Sequence, residues 1–134
     1  MHQLSLETYR KEEFLNITGK IRALVRDSGI RSGLALIFCP HTTCALTINE
    51  QADPDVQADL LMALRKIAPD NLPYAHGEGN SPAHLKASLL GSSLSVLIEN
   101  GELLLGTWQG VFLCEFDGPR HRKVWVRLLE SGKG

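Results

Sequence analysis

Cysteine is scarce and odd in number: Cys39, Cys44 and Cys114 are the only three, and none lies in CxxC spacing. That pattern supports neither a disulfide framework nor a thiolate zinc knot, and makes a reducing cytoplasm the simplest home. Long hydrophobic runs are missing too. No segment approaches the length of a membrane span. Met1 is followed by His2, Gln3 and Ser5 rather than by a basic and then apolar leader, so a soluble, unprocessed chain with no membrane partner is expected. Charge of one sign is equally scarce. Lys and Arg total 14 against 15 Asp and Glu, a formal net charge of −1 that leaves no footprint for nucleic acid. Arg120, His121, Arg122 and Lys123 form the one basic cluster, which reads as a solvated turn. Neither a GxGxxG nor a Walker phosphate loop is present, and the histidines match no zinc-finger or HExxH spacing. No internal repeat or low-complexity linker interrupts the chain.

What is present suffices for one compact domain over residues 1–134, since 43% of the residues are hydrophobic. Alternation predicts a strand over 3–10, with Leu4, Leu6 and Thr8 on one face. Ile17, Ile21, Leu24 and Val25 then share a helical face, with Asn16 or Thr18 as cap and Gly29 as stop. The apolar run Leu34 to Phe38 reads as a buried strand ending at Pro40. A second strand, alternating through Cys44, Leu46 and Ile48, delivers Glu50 at its end. Asp53 and Pro54 open a helix in which Val56, Leu60, Ala63, Leu64 and Ile67 keep helical spacing until Pro69.

Residues 69–81 form a loop rich in Pro, Gly and Asn. Ser81 as N-cap and Pro82 at the first helical position start a short helix over 82–90, with a stripe of Leu85, Leu89 and Leu90. Leu94, Val96 and Ile98 alternate before Asn100-Gly101, a dipeptide suited to a type I′ hairpin turn. Two more strands, 111–116 and 124–129, are joined by the turn-forming Asp117-Gly118-Pro119-Arg120. The fold class is α+β, mostly antiparallel sheet with helices packed on one face.

Candidate chemistry gathers in one stretch. His76, Glu78, Gly79, Asn80 and His84 combine metal-ligating side chains, a flexible backbone and a helix start. His84 lies off the leucine stripe, so it is either a ligand or an exposed helix histidine. Pro40-His41-Thr42-Thr43 sets an imidazole and two hydroxyls at a strand break, facing a cleft or packing at a strand end. Glu50 invites an acid/base role or is a surface charge. Gly106-Thr107-Trp108-Gln109-Gly110 presents an indole and an amide, or buries the indole in a bulge. Arg120 offers a bidentate clamp for phosphate or carboxylate.

Taken in order, Pro40 to Glu50, Asp53 to Asp59, His76 to Asn80 with Ala83-His84-Leu85-Lys86, Leu89-Leu90-Gly91, Gly106 to Gln109 and Glu115 to Arg120 closely resemble the YjbQ family, also called UPF0047 or the secondary thiamine-phosphate synthase family. The resemblance covers about residues 5–129. It implies a homotrimer with a histidine-lined pocket that holds a divalent ion, zinc or another transition metal, on His41, His76 and His84. Glu50, Asn80, Trp108, Gln109 and Arg120 match further characteristic positions. On this basis Glu50 and Arg120 are the catalytic candidates, and Thr42, Thr43, Asn80, Trp108 and Gln109 the substrate-binding ones. The implied activity joins a thiazole phosphate and a pyrimidine diphosphate as a secondary reaction, acting on a small phosphorylated metabolite. The residues leave two readings open, a metal-assisted enzyme and an ion-ordered trimeric binding or structural protein.

Overall fold

The computed structural model describes residues 1–132. In chain order the elements are β1 (His2–Glu7), β2 (Glu13–Asn16), α1 (Thr18–Ser28), β3 (Gly33–Phe38), β4 (Cys44–Glu50) and α2 (Pro54–Ile67), then α3 (Ser81–Leu90), β5 (Ser93–Glu99), β6 (Glu102–Leu103), β7 (Gln109–Glu115) and β8 (His121–Glu130). The predicted strands and helices all form, but β3, expected to be buried, is buried on one face only: Ala35 and Ile37 point inward while Leu36 and Phe38 are exposed. The strand expected over 3–10 stops at Glu7, because Thr8 turns inward and its hydroxyl donates to Glu115 Oε1 at 2.7 Å. The short strand β2 has no sequence signal, since Glu13-Phe14-Leu15-Asn16 is too brief to show alternation.

Local chemistry sets the helix ends. Asn16 Oδ1 accepts from Thr18 N at 3.0 Å and opens α1, and Gly29 at φ 72° closes it in a left-handed conformation that suits a residue without Cβ. Asp53 Oδ1 caps α2 through Asp55 N at 2.9 Å, with Pro54 at the first helical position. Ser81 is not the cap of α3. It is already helical, and Asn80, which precedes it, has committed its amide to Asp117 Oδ2 at 2.9 Å instead of to the helix. The leucine stripe is not the packed face either. Leu85 and Leu89 are 41% and 56% exposed, whereas Pro82, Ala83 and Lys86 are buried. Small residues let the helix approach β4 closely, and Lys86 is drawn in by Glu12 Oε2 at 2.7 Å.

Every strand pairing is antiparallel. One sheet has the order β1-β8-β3-β5-β6 and the other β2-β7-β4. Asn100 and Gly101, at φ 52° and 78°, turn β5 into β6 as a type I′ turn requires. The two strands on either side of Asp117 to Arg120 do not form a hairpin. That turn carries the chain from the small sheet to the large one.

The main core lies between the sheets. Leu46, Val111 and Leu113 of the small sheet meet Ala35, Ile37, Val96, Ile98, Val124 and Val126 of the large one, with Ile21 and Val25 of α1 among them. Each fully buried Ile, Val or Leu contributes about 1.5–3 kcal/mol to this packing. Strand β7 is buried on both faces, because Phe112 and Cys114 point the other way. They meet Ala83 and Ala87 of α3 and Leu61 and Leu64 of α2. Helices α2 and α3 thus collect on one face of the small sheet.

Besides Lys86 with Glu12, one ion pair among the described residues is buried on both sides. Glu115 and Arg122 are 0% and 5% exposed. Arg122 Nε donates to Glu115 Oε1 at 2.8 Å, Arg122 Nη2 donates to Glu115 Oε2, and the same Nη2 also reaches Thr43 Oγ1 at 2.8 Å. Asp117 N adds a bond to Oε2 at 3.1 Å. The basic cluster is therefore not wholly a solvated turn. Arg122 follows the inward rhythm of Val124 and Val126 along β8, and only a carboxylate partner makes that burial tolerable.

Burial alone pushes the Glu115 carboxyl up, but the bonds from Arg122, Thr8 and Asp117 N–H outweigh it and hold it below the usual carboxylate range. A carboxyl lowered in the folded state stabilises fully above its unfolded pKa of about 4.3, and that stabilisation is lost as pH falls through the folded value. Two outcomes follow. Glu115→Ala strands a buried guanidinium and lowers the urea-derived stability at pH 7 by about 3–5 kcal/mol, and the Glu115→Leu/Arg122→Met pair recovers much of it. The acid-side loss of stability expected of the parent below about pH 4 shrinks in Glu115→Gln. Urea titrations at pH 7 and pH 3 check both. Equal stability of Glu115→Ala and the parent would contradict them.

Candidate functional site

A cleft of about 420 Å³ opens where three separate segments meet. The loop between β3 and β4 brings Pro40, His41, Thr42 and Thr43. The loop before α3 and that helix's first turn bring His76, Glu78, Asn80 and His84. The turn between β7 and β8, with the start of β8, brings Asp117, Arg120 and Arg122. Seven sequence candidates therefore line one surface: His41, Thr42, Thr43, His76, Asn80, His84 and Arg120.

The His76 and His84 rings stand edge to face with centroids 5.5 Å apart. His76 is half exposed, and its Nε2 lies 3.9 Å from Glu78 Oε2. His41 differs. Its Nε2 accepts from Lys123 N at 2.9 Å, so in the neutral ring the proton resides on Nδ1 and no lone pair is left to offer. Burial, then the nearby Arg122 guanidinium, hold the His41 pKa below the ordinary value. Among the described residues, no three His, Cys, Asp or Glu side chains gather closely enough to grip an ion. The donor set suits a divalent ion at His76 and His84. His41 would be open to such an ion only on giving up its contact with Lys123 N.

Asp117, which the sequence did not mark as a site residue, organises the cleft's polar wall. Its Oδ2 accepts from Asn80 Nδ2 and from Arg120 Nη2, each at 2.9 Å, while its carbonyl accepts from Arg120 Nε at 2.7 Å. Burial raises the Asp117 pKa, and the bonds from Asn80 and Arg120 outweigh it, so the net shift is downward and the carboxylate stays charged. Asn80 spends its amide N–H₂ there. Its Oδ1 is buried and without a partner, the one such side-chain atom among the described residues. A buried acceptor in that state costs about 1–3 kcal/mol and is a place for a ligand donor or a cation. Arg122, also missed as a site residue, lines the floor. The inward alternation of β8 is the signal that finds it.

Glu50, Trp108 and Gln109 lie elsewhere. Glu50 is the last residue of β4 and pairs with Gln109, while Thr43 precedes the first. Seven residues of strand put about 20 Å between the two ends. Glu50 Oε2 accepts from Ala52 N at 3.0 Å, and Gln109 Oε1 accepts from Gly106 N at 2.8 Å. Trp108 is 63% exposed rather than buried in a bulge. Within one chain these three do not reach the histidine cleft.

Residues 2–131 match the family model described as UPF0047 protein YjbQ-like. The chain is 46% identical over 127 residues to the UPF0047 protein YugU of Bacillus subtilis, covering 94% of this chain and 96% of that one. A UPF0047 protein of Methanocaldococcus jannaschii is 43% identical over 129 residues, covering 96% and 94%. A crystal structure of an uncharacterized conserved protein of the YjbQ/UPF0047 family from Clostridium acetobutylicum superposes with a TM-score of 0.94 at 52% identity, covering 96% of this chain and all of that one. A protein of unknown function from Sulfolobus solfataricus gives 0.93 at 33% identity, covering 97% and 96%.

The His41 environment carries a direct expectation. Its imidazole titrates below the ordinary value of about 6.5, and the Lys123 amide signal moves with it. A proton NMR titration of the histidine C–H signals, with His41→Gln for assignment, checks this. An apparent pKa at or above the ordinary value would contradict the burial of the ring beside Arg122.

Proposed function

Because the chain belongs to the UPF0047 family of YjbQ-like proteins, we propose that it is a small metal-binding enzyme with secondary thiamine-phosphate synthase activity. The observation that carries this reading is the meeting of His76 and His84 in one cleft with Arg120 and the unpartnered Asn80 Oδ1. His76 and His84 hold a divalent ion, zinc or another transition metal, and His41 completes the set when it releases Lys123. Such an ion supplies Lewis acidity toward a substrate oxygen.

The remaining roles belong to the chain itself. Arg120 keeps Nη1 free of the Asp117 contacts and offers it to a phosphate oxygen, which steadies the charge of a departing diphosphate. Asp117 fixes Arg120 and Asn80 relative to each other. Asn80 Oδ1 accepts from a substrate amine or hydroxyl, and the exposed Thr42 hydroxyl is available beside it. Thr43 is buried and accepts from Arg122, so its part is to position the loop.

We propose a homotrimer as the working form, in the reducing cytoplasm. The support is the outer face of the large sheet, where Leu36, Phe38, Leu97 and Leu129 are exposed and Phe38 stacks on Trp125 at 5.9 Å. A contiguous apolar surface of that kind marks an interaction site. In such an assembly Glu50, Trp108 and Gln109 serve a cleft only as a neighbouring subunit's residues, and a proton-transfer role for Glu50 depends on that. A second reading, an ion-ordered trimeric binding protein, is favoured by one observation. Both guanidiniums lining the cleft already face carboxylates, which weakens attraction for a diphosphate.

Turnover separates the two readings. Highly purified protein forms thiamine phosphate from the thiazole phosphate and the pyrimidine diphosphate, and His76→Ala or His84→Ala lowers zinc affinity and rate by about tenfold or more. Helix α3 stays folded, because its buried face is Pro82, Ala83 and Lys86. Full synthesis by a folded, metal-free His76→Ala/His84→Ala variant would move the activity away from this cleft. For the assembly, light scattering returns a trimer mass at low micromolar concentration, and Phe38→Glu/Leu97→Lys returns a folded monomer. A persistent monomer of the parent chain would contradict the oligomer.

A further inference from the structure

Two thiols sit behind the loop that carries His41. Cys39 follows β3, Cys44 opens β4, and only Pro40, His41, Thr42 and Thr43 separate them. Their Sγ atoms are 3.2 Å apart, close enough to share a hydrogen. Both ends are pinned. Cys39 N donates to the Ser92 carbonyl at 2.8 Å, and Cys44 stands in register with Glu115 in the small sheet. The two thiols are each 1% exposed, yet Cys44 also borders a groove of about 460 Å³ shared with His41, Thr42 and His84. That groove gives a small uncharged oxidant a route. Cys114 points to the opposite face of β7, among Phe112 and Phe116.

We propose that Cys39 and Cys44 are a hydroperoxide-responsive dithiol that closes to an intrachain disulfide and clamps the His41 loop. Cys39 is the attacking thiol. Its sulfur lies 3.2 Å behind that of Cys44 at the edge of the groove, so Cys44 is placed to resolve it. The Cys39 thiolate attacks the terminal peroxide oxygen, the O–O bond breaks, and the alkoxide or hydroxide leaves and takes up the proton given by Cys39. Cys39 is then a sulfenic acid. The Cys44 sulfur attacks the Cys39 sulfur, an S–S bond forms as the S–O bond breaks, and the Cys44 proton leaves with that oxygen as water. Two thiols lose two electrons in total and one hydroperoxide gains them.

The consequence is mechanical. A disulfide is about 2.05 Å long, so the sulfurs must draw together by about 1 Å. With both ends held by the sheets, the movement falls on the four residues between them, His41 included.

The native protein, treated with equimolar hydrogen peroxide and then alkylated, is digested without reductant and analysed by mass spectrometry. The expected product is one Cys39–Cys44 cross-linked peptide, with Cys114 still alkylated, and full recovery of thiols with dithiothreitol. In the oxidised protein before digestion the His41 NMR signals shift and those of His2, at the far end of β1, do not. Cys44→Ala, a small change at a buried site, should divert Cys39 to sulfenic and sulfinic acid. Unreacted thiols, a disulfide between chains, or a cross-link that leaves the His41 signals in place would each overturn the proposal.

Discussion

The Arg122–Glu115 ion pair is the interaction on which the rest of the cleft depends. It sits where the two sheets, the end of β1 and the β3–β4 loop converge, and both of its partners are buried. Glu115 takes hydrogen bonds from Thr8, Arg122 and Asp117 N, while Arg122 reaches across to Thr43. A buried pair of this kind is weak evidence for net stability, since a well-packed apolar replacement can do as well. What it supplies here is position. Thr43 fixes one wall of the cleft, Asp117 another, and both are tied to the same two side chains.

From that anchor the polar wall follows. Asp117 holds Arg120 and Asn80 on one carboxylate oxygen, which presents a guanidinium and leaves the Asn80 Oδ1 without a partner. Lys123, the neighbour of Arg122 in β8, occupies the His41 ring through its backbone N–H. The same strand that carries the buried arginine inward thus decides how available His41 is. The proposed ion finds His76 and His84 facing each other and His41 engaged elsewhere, so binding is coupled to exchange of a backbone contact.

Much of the fold was legible because its signals are local. Alternation in β1, β4 and β5, the Asp53-Pro54 start, the Gly29 stop and the Asn100-Gly101 turn each depend on a few neighbouring residues. The misreadings share another cause. Which face of α3 is buried is set by Ala45 and Glu12, distant in sequence, and the leucine stripe could not reveal that. Likewise, the Asp117 to Arg120 turn looks the same whether it closes a hairpin or crosses between sheets. The site was legible for the cleft's histidines, Asn80 and Arg120, largely through family resemblance. Arg122 and Asp117 were hidden because their partners are tertiary, and the distance of Glu50, Trp108 and Gln109 from the cleft follows from strand length, which spacing in sequence does not convert into proximity within one chain.

The most direct test of this account is a crystal structure of the protein purified without added metal, with anomalous diffraction at the candidate metal edges. One ion bound by His76 and His84 at about 2.0–2.1 Å if it is zinc, with the His41 ring released from Lys123 N and turned toward it, is the expected result. An ion bound at a different site, or one held at His76 and His84 while His41 keeps its contact with Lys123, would contradict the three-histidine centre.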